Sequence, residues 1–271
     1  MNIDKTVSLI QTDRMADKEY FTINSIVKAI RLIEELVTKK EFDLIELTRR
    51  MEFPKPTVHR MLLTLKSLGY VKQNEINKQY GATIKLFQLG HRVLLNNGLF
   101  TTALPIIEAL SEETGESVFV LVRDKLDVIV SAKATGVYSL RQDEQIGFRY
   151  KSYNSASGRT ILANLSPAER RRLFRGHRMK PDTLNSPTCY RQLEPKLDKI
   201  FRKGYAVENE EYGLGISCVA APIFDHTGCV PAAVTITGPT IRIKPNIFDF
   251  IPKVKKAGKK ISAGLGFKND A

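Results

Sequence analysis

Tryptophan is absent from the 271 residues, and only three cysteines occur, Cys189, Cys218 and Cys229, with no CxxC spacing. That pattern excludes a disulfide framework and gives no zinc signature. The three are expected to be small, mostly buried hydrophobes. No apolar run approaches the roughly eighteen residues that a membrane span needs. The start MNIDKTVSLIQTDRMADKEYF lacks the basic-then-apolar layout of a signal peptide, so a cytoplasmic protein without membrane contact is expected. Catalytic signatures are also missing, because no nucleophile with a base, phosphate loop or metal constellation is visible. Gly213-x-Gly215 lacks the third glycine and the following helix of a dinucleotide fingerprint. His226-Thr227-Gly228-Cys229 offers two metal ligands without a second pair. The expectation is a protein that is not an enzyme and holds neither metal nor cofactor.

Acidic residues are scarce relative to basic ones, 29 against 42, giving a formal charge of +13. Such a surface attracts polyanions, since basic side chains on phosphate release condensed counterions. Hydrophobic residues make up 42% of the chain, enough for a proper core in one large or two ordinary domains.

Residues 1–22 mix charge and small polar groups without period and read as a mobile arm. Asn24 is a candidate cap for a helix over 25–38, with Ile26, Ala29, Ile30, Ile33, Leu36 and Val37 on one face. Asp43 then precedes LIELTRRM, a short second helix. After Glu52-Phe53-Pro54-Lys55, Pro56 suits the first turn of a third helix, which Gly69 stops. Val58, Met61, Leu62, Leu65 and Leu68 form its apolar stripe, while His59, Arg60, Leu63 and Ser67 face away. Two short runs, 70–73 and one ending at Gln79-Tyr80, predict a two-stranded wing. Thr83 caps an apolar helix through Ile84, Leu86, Phe87, Leu89, Val93 and Leu94, suited to linking domains and to dimerisation.

Beyond Leu99 the pattern becomes α+β. A helix is predicted over 102–113, and SVFVLVRD and KLDVIVSAK read as strands. Residues 138–145 look extended, and Ser166-Pro167-Ala168-Glu169 is a capping box. GISCVAAPIFD and CVPAAVTITG form a further strand pair, and a closing helix covers 246–263. Glu208, Glu210 and Glu211 form an acidic run of the kind usually found in solvated turns. The lysines 253, 255, 256, 259 and 260 read as a solvated helix face.

At NSIVKAIRLIEEL, KPTVHRMLLTLKSLGYV and QYGATIKLFQLG the chain resembles the IclR family of transcription regulators. NSASGRTILA, GYAVENEEYGLGISCVAAPIFD and AAVTITGP extend the resemblance, which covers about residues 24 to 267 and is strongest to members that control sugar-acid catabolism. It implies a winged helix-turn-helix DNA-binding domain at 23–82, a linker helix at 83–98, and a GAF-like effector-binding and oligomerisation domain at 99–271. It further implies homodimers or homotetramers on double-stranded DNA at pseudo-palindromic operators, commonly as repressors. The implied DNA-contacting positions are Lys55, Pro56, Thr57, His59, Arg60, Leu63 and Thr64. Relatives tend to carry serine where Pro56 stands and a polar residue where Leu63 stands, so no relative's operator can be borrowed.

The resemblance places an effector pocket at Leu140, Gln142, Ala156, Ser157, Glu208, Ile216, Cys218, Thr235 and Thr237. Backbone N–H groups at the small-residue turn Ala156-Ser157-Gly158 suit an anion, so a small carboxylate, an organic or sugar acid, is the expected effector. The alternative is an architectural DNA-binding protein indifferent to any metabolite. The size of the second domain argues against it.

Overall fold

The computed structural model describes residues 22–95 and 98–268. The expected N-terminal arm, 1–22, lies almost wholly outside them. The chain divides into two compact units, one ending at Val93 and the other beginning at Leu94.

In the first unit, α1 (Asn24–Leu36), α2 (Leu44–Met51) and α3 (Lys55–Ser67) enclose a small core. The capping expectation for α1 is corrected: Ile23 occupies the N-cap position with no side-chain cap, because Asn24 is already helical. Its inward face is also narrower than its periodicity suggested. Leu32 and Leu36 are buried and Ile33 packs beside them, whereas Ile26, Ile30 and Val37 are exposed. Only the C-terminal half of α1 contributes buried side chains to the core, while the earlier turns make contacts at its edge, such as Lys28 over the Phe53 ring. Asp43 caps α2 through the Glu46 N–H at 2.7 Å. Pro56 occupies the first turn of α3, and Gly69 follows it at φ +76°, a left-handed conformation that glycine adopts freely.

The wing is β1 (Val71–Gln73) paired antiparallel with β2 (Tyr80–Ala82), so its second strand lies two residues beyond the expected end. Asn74 and Asn77 donate to Glu41 and pin the turn, and these bonds hold the Glu41 carboxyl below its ordinary range. α4 (Ile84–Leu95) follows, its second N–H reaching the Thr83 hydroxyl at 3.3 Å.

The second unit is built on one antiparallel sheet. In chain order its elements are α5 (Gly98–Thr114), β3 (Ser117–Asp124), β4 (Asp127–Ala134), β5 (Arg149–Lys151), α6 (Ala156–Ala163), α7 (Pro167–Phe174), α8 (Tyr190–Lys203), β6 (Ala206–Asn209), β7 (Ile216–Ile223), β8 (Ala232–Pro239), α9 (Thr240–Ile243) and α10 (Ile247–Gly264). The strands lie in the order β5-β4-β3-β8-β7-β6. Period-two alternation gives the sheet two different faces. Val118 and Val120, Val219 and Ala221, and Val234 and Ile236 share one core with α5 and α10. Phe119 and Leu121 turn to the opposite face, where α6 lies. A register shift between Val120 and Leu121 exchanges the parity of β4, so Ala132 and Ala134 join the first core while Val128 and Val130 join the other.

Three expectations are corrected here. Residues 138–145 form an irregular loop without a ladder, and the strand that follows is β5. Cys189 and Cys229 are exposed rather than buried. Glu211, expected in a solvated turn, is buried. The Ser166–Glu169 capping box is formed. Among the described residues no helix is long and apolar enough to cross a membrane, and no group of His, Cys, Asp or Glu could hold a metal ion.

Close packing of α6 hangs on one glycine. A Cβ built at Gly158 would lie 2.3 Å from the Ser152 Cα and carbonyl oxygen, both backbone atoms that cannot swing away, whereas one at Gly90 in α4 meets nothing within 4 Å. Gly158→Ala should therefore cost about 1–3 kcal/mol through overpacking. Gly90→Ala should be neutral or gain about 0.5–1 kcal/mol through helix propensity. Denaturant unfolding that finds Gly158→Ala as stable as the wild type would disprove this role for the glycine.

Candidate functional site

Two sites arise, one in each unit. On α3 the residues named from sequence divide by burial. Val58, Leu62 and Leu65 are buried in the core, leaving Lys55, Pro56, Arg60, Leu63 and Thr64 exposed and Thr57 and His59 half-buried. The helical period brings Pro56, His59, Arg60, Leu63 and Thr64 onto outward positions of one helix. Thr64 donates its hydroxyl hydrogen to the Arg60 carbonyl at 2.9 Å, so toward a ligand it offers only lone pairs. Arg50 on α2 is tied to Glu35 and Glu46. Among the described residues, neither Lys55 nor Arg60 has an acidic partner, and their charge stays available to solvent or to phosphate.

In the second unit a narrow cleft opens between the sheet and the start of α6. The structure brings Gln142, Ala156, Ser157, Glu208, Cys218, Thr235 and Thr237 together on its walls. Leu140 and Ile216 are not among them. Leu140 is 69% exposed and contributes its carbonyl to Arg242, and Ile216 lies two strand positions before Cys218, near Gly213. Phe119, Leu121, Tyr150, Ser155 and Tyr212 complete the lining and were missed from sequence. The alternation of Phe119 and Leu121 on β3 was a usable signal. Nothing marked Tyr150, which lies on a three-residue strand.

Register explains why the polar members meet. Glu208 pairs with Cys218, Cys218 with Thr237, and Thr237 with Ser117, so residues of β6, β7, β8 and β3 form one row across the sheet. Gln142 reaches this row from the loop after β4. Ser117 donates to its carbonyl at 2.5 Å, and Thr237 donates to its Oε1 at 2.8 Å. Its Nε2 lies 3.3 Å from the Tyr150 hydroxyl. Thr235 donates to the Val219 carbonyl at 3.1 Å. Both threonine hydrogens are thus spent within the protein, and the Cys218 thiol, 3.1 Å from the Thr237 hydroxyl, takes one of that oxygen's lone pairs, leaving the remainder for a ligand.

Donors come from α6. Ser155 caps it by accepting the Gly158 N–H at 3.1 Å, so Gly158 has no donor to spare. The N–H groups of Ala156 and Ser157 belong to the first turn and have no intrahelical acceptor.

Two carboxylates at this cleft, Glu208 on its wall and Glu211 outside its lining, are shifted in opposite directions. Burial pushes Glu208 up, against the lowering effect of the Tyr212 and Glu211 N–H groups on its Oε1. Its Oε2 is buried without a partner among the described residues. Burial would also raise Glu211, but Arg159 and Lys196 overcome it and hold the group below the usual carboxylate range. Burial likewise pushes the Cys218 thiol and the Tyr150 phenol up, so both stay protonated near neutral pH.

Comparisons with known proteins follow this division into two units. Residues 25–75 match the model of the IclR helix-turn-helix domain, and residues 91–263 match the bacterial transcriptional regulator IclR C-terminal domain. The HTH-type transcriptional regulator KdgR of Escherichia coli K12 is 33% identical over 93% of this chain and 96% of its own. The transcriptional repressor IclR of the same strain is 29% identical over 90% of each. Among solved structures, Thermotoga maritima IclR superposes with a TM-score of 0.76 at 28% identity, covering 91% of this chain and all of its own. The C-terminal domain of E. coli KdgR gives 0.58 at 28% identity over 63% of this chain and all of its own. With both family domains matched in order and the relatives spanned almost end to end, the chain belongs to the IclR family of bacterial transcription regulators, which are not enzymes.

Proposed function

We propose that this regulator is a repressor whose hold on a pseudo-palindromic operator is modulated by a small carboxylate, a sugar acid or related organic acid. One observation carries the reading. The cleft of the second unit presents donors at one end, the first-turn N–H groups of α6, and acceptors at the other, the lone pairs of Thr235 and Thr237. An acid with a hydroxylated chain has the reverse pattern, its carboxylate fitting the helix N-terminus and its hydroxyls fitting the acceptors. Glu208 favours this polarity. A carboxyl pushed toward its neutral form repels a ligand anion less and can donate from Oε2. Family members named as repressors, such as E. coli IclR, support the sign of regulation.

The proposed division of labour is DNA reading by residues 23–82, linkage by 83–98, and effector binding with oligomerisation by 99–271. Outward apolar residues support a homodimer, with tetramers built from it. Ile26 and Ile30 on α1 and Ile84 and Val93 on α4 are exposed, and a second copy is a suitable cover for such surface. On DNA, Arg60 is proposed to grip a base edge, and Lys55 a phosphate, with Pro56, Thr57, His59, Leu63 and Thr64 beside them.

Arg60→Ala should cost about 1–3 kcal/mol and relax specificity at one base position, whereas Lys55→Ala should weaken all sequences alike and lower the salt slope by about one unit. Binding measured on operator and random DNA over a range of salt separates the two. An unchanged operator-to-random ratio for Arg60→Ala refutes its assignment to a base.

Calorimetry with gluconate, glucuronate and glucose tests the cleft. The acids should bind and the neutral sugar should not. Ser157→Leu, filling the space at the start of α6, should abolish acid binding, and Thr237→Val should weaken it about tenfold, while both still bind operator. Selective binding of glucose, or full acid affinity in Ser157→Leu, would remove the carboxylate from this cleft.

A further inference from the structure

On another side of α6 a second groove shares no lining residue with the effector cleft. Its walls carry Arg159, Lys196, Lys199, Lys203, Tyr205 and Glu211. Lys196, Lys199 and Lys203 recur at three and four along α8, which puts them on one face of the helix. Four cationic side chains against one carboxylate leave the groove a net charge of +3.

That carboxylate has little capacity left. Glu211 Oε1 already accepts from Arg159 and Lys196, and Oε2 accepts from Arg159. The other acids of α8 are engaged elsewhere, Asp198 by Arg170 and Glu194 by the Tyr190 hydroxyl. Lys203 lies over the Tyr205 ring at 5.6 Å, and Lys199 has no acidic partner among the described residues. Exposed lysines alone would mean little, because water solvates them fully. Here they line one groove with a guanidinium that is only 2% exposed and whose Nε, like that of Arg170, meets no acceptor among the described residues. A buried donor of a charged group left unpaired is costly, and such an exception calls for a ligand or a bound ion.

We infer that this groove binds a phosphate-class anion, either inorganic phosphate or a phosphate monoester. A compact dianion offers several oxygens to converging donors and matches the surplus positive charge. A monocarboxylate brings half the charge and fewer acceptors. Lysine is a frequent phosphate ligand acting as a point charge, and arginine adds directed N–H donors. The inference does not depend on the effector assigned to the cleft.

Full-length protein titrated calorimetrically with inorganic phosphate and with glucose 6-phosphate, at constant ionic strength balanced with chloride, tests it. One saturable site per chain is expected, with the tighter of the two ligands identifying the source. The double variant Lys199→Glu with Lys203→Glu, both exposed and therefore compatible with folding, should lose at least tenfold in affinity. The DNA-face pair Lys55→Glu with Arg60→Glu should keep wild-type affinity. Phosphate should also raise the melting temperature of the wild type and not of the groove variant. The inference fails if the wild type shows no saturable binding over chloride, if the groove variant binds as tightly as the wild type, or if only the DNA-face pair loses binding.

Discussion

The ion pair between Arg159 and Glu211 is the contact on which the second unit's geometry rests. Arg159 is among the largest fully buried side chains of the described residues and points two donors at one carboxylate. Taking either ion alone out of water costs several kcal/mol, so the pair holds only while both partners stay in register. Arg159 stands two residues after Ser157 on α6, and Glu211 stands three residues after Glu208. The pair therefore clamps the start of a helix to the turn after β6, elements 52 residues apart in sequence. Glu208 is placed as a consequence, since its Oε1 accepts the N–H groups of Glu211 and Tyr212.

From that clamp follows an unequal treatment of two neighbouring carboxylates. Glu211, facing two cations, is held in its ionised form, and Glu208, with backbone donors on one oxygen only, is pushed toward neutrality by burial. The same low-dielectric surroundings act on both, and the difference lies in charged partners rather than in depth. A cleft floored by a carboxyl that burial pushes toward its neutral form, beside two threonine acceptors, tolerates an anion better than one floored by a carboxyl held ionised. The Arg159 clamp thus helps set the chemistry of a cleft that Arg159 does not itself line.

What sequence could reveal depended on how local each signal was. The third helix and its outward residues were legible because burial of Val58, Leu62 and Leu65 repeats at helical spacing, and Pro56 and Gly69 punctuate the ends. The strands β7 and β8 were legible as long apolar runs around a glycine turn. The face of α1 was misjudged, because period alone does not tell which turns of a helix have a neighbour. α8 was overlooked although Leu193, Leu197 and Ile200 are spaced as an inward face, since the polar YRQLEPKLDKIFRK and its internal Pro195 masked them. β6, four residues long, has too little pattern to read. Most of the cleft residues were reached through family resemblance rather than through periodicity. The row Glu208, Cys218, Thr237 and Ser117 exists only once register is known. Leu140 illustrates the limit of that route, because its exposed side chain lies off the cleft and its carbonyl accepts from Arg242.

Net charge, too, needs a location before it means anything. The +13 of the chain suggests polyanion binding in general, yet many of its cations are already committed: Arg50 to Glu35 and Glu46, Arg149 to Asp124 and Asp127, Lys253 to Glu113 and Asp249, Arg242 to Glu116. Such pairs contribute little to attraction at distances beyond about a Debye length, roughly 8 Å at physiological salt, because each cation's field is cancelled nearby. Uncommitted charge is what releases counterions from a phosphate backbone. Among the described residues it includes Lys55 and Arg60 on the outward side of α3 and the lysines of the α8 groove, but also cations elsewhere, such as Lys256, Lys259 and Lys260 on α10. The assignment of the first unit to DNA therefore rests on its helix-turn-helix match, and the unpaired Lys55 and Arg60 on a solvent-facing edge of α3 accord with it, which the net charge alone does not reveal.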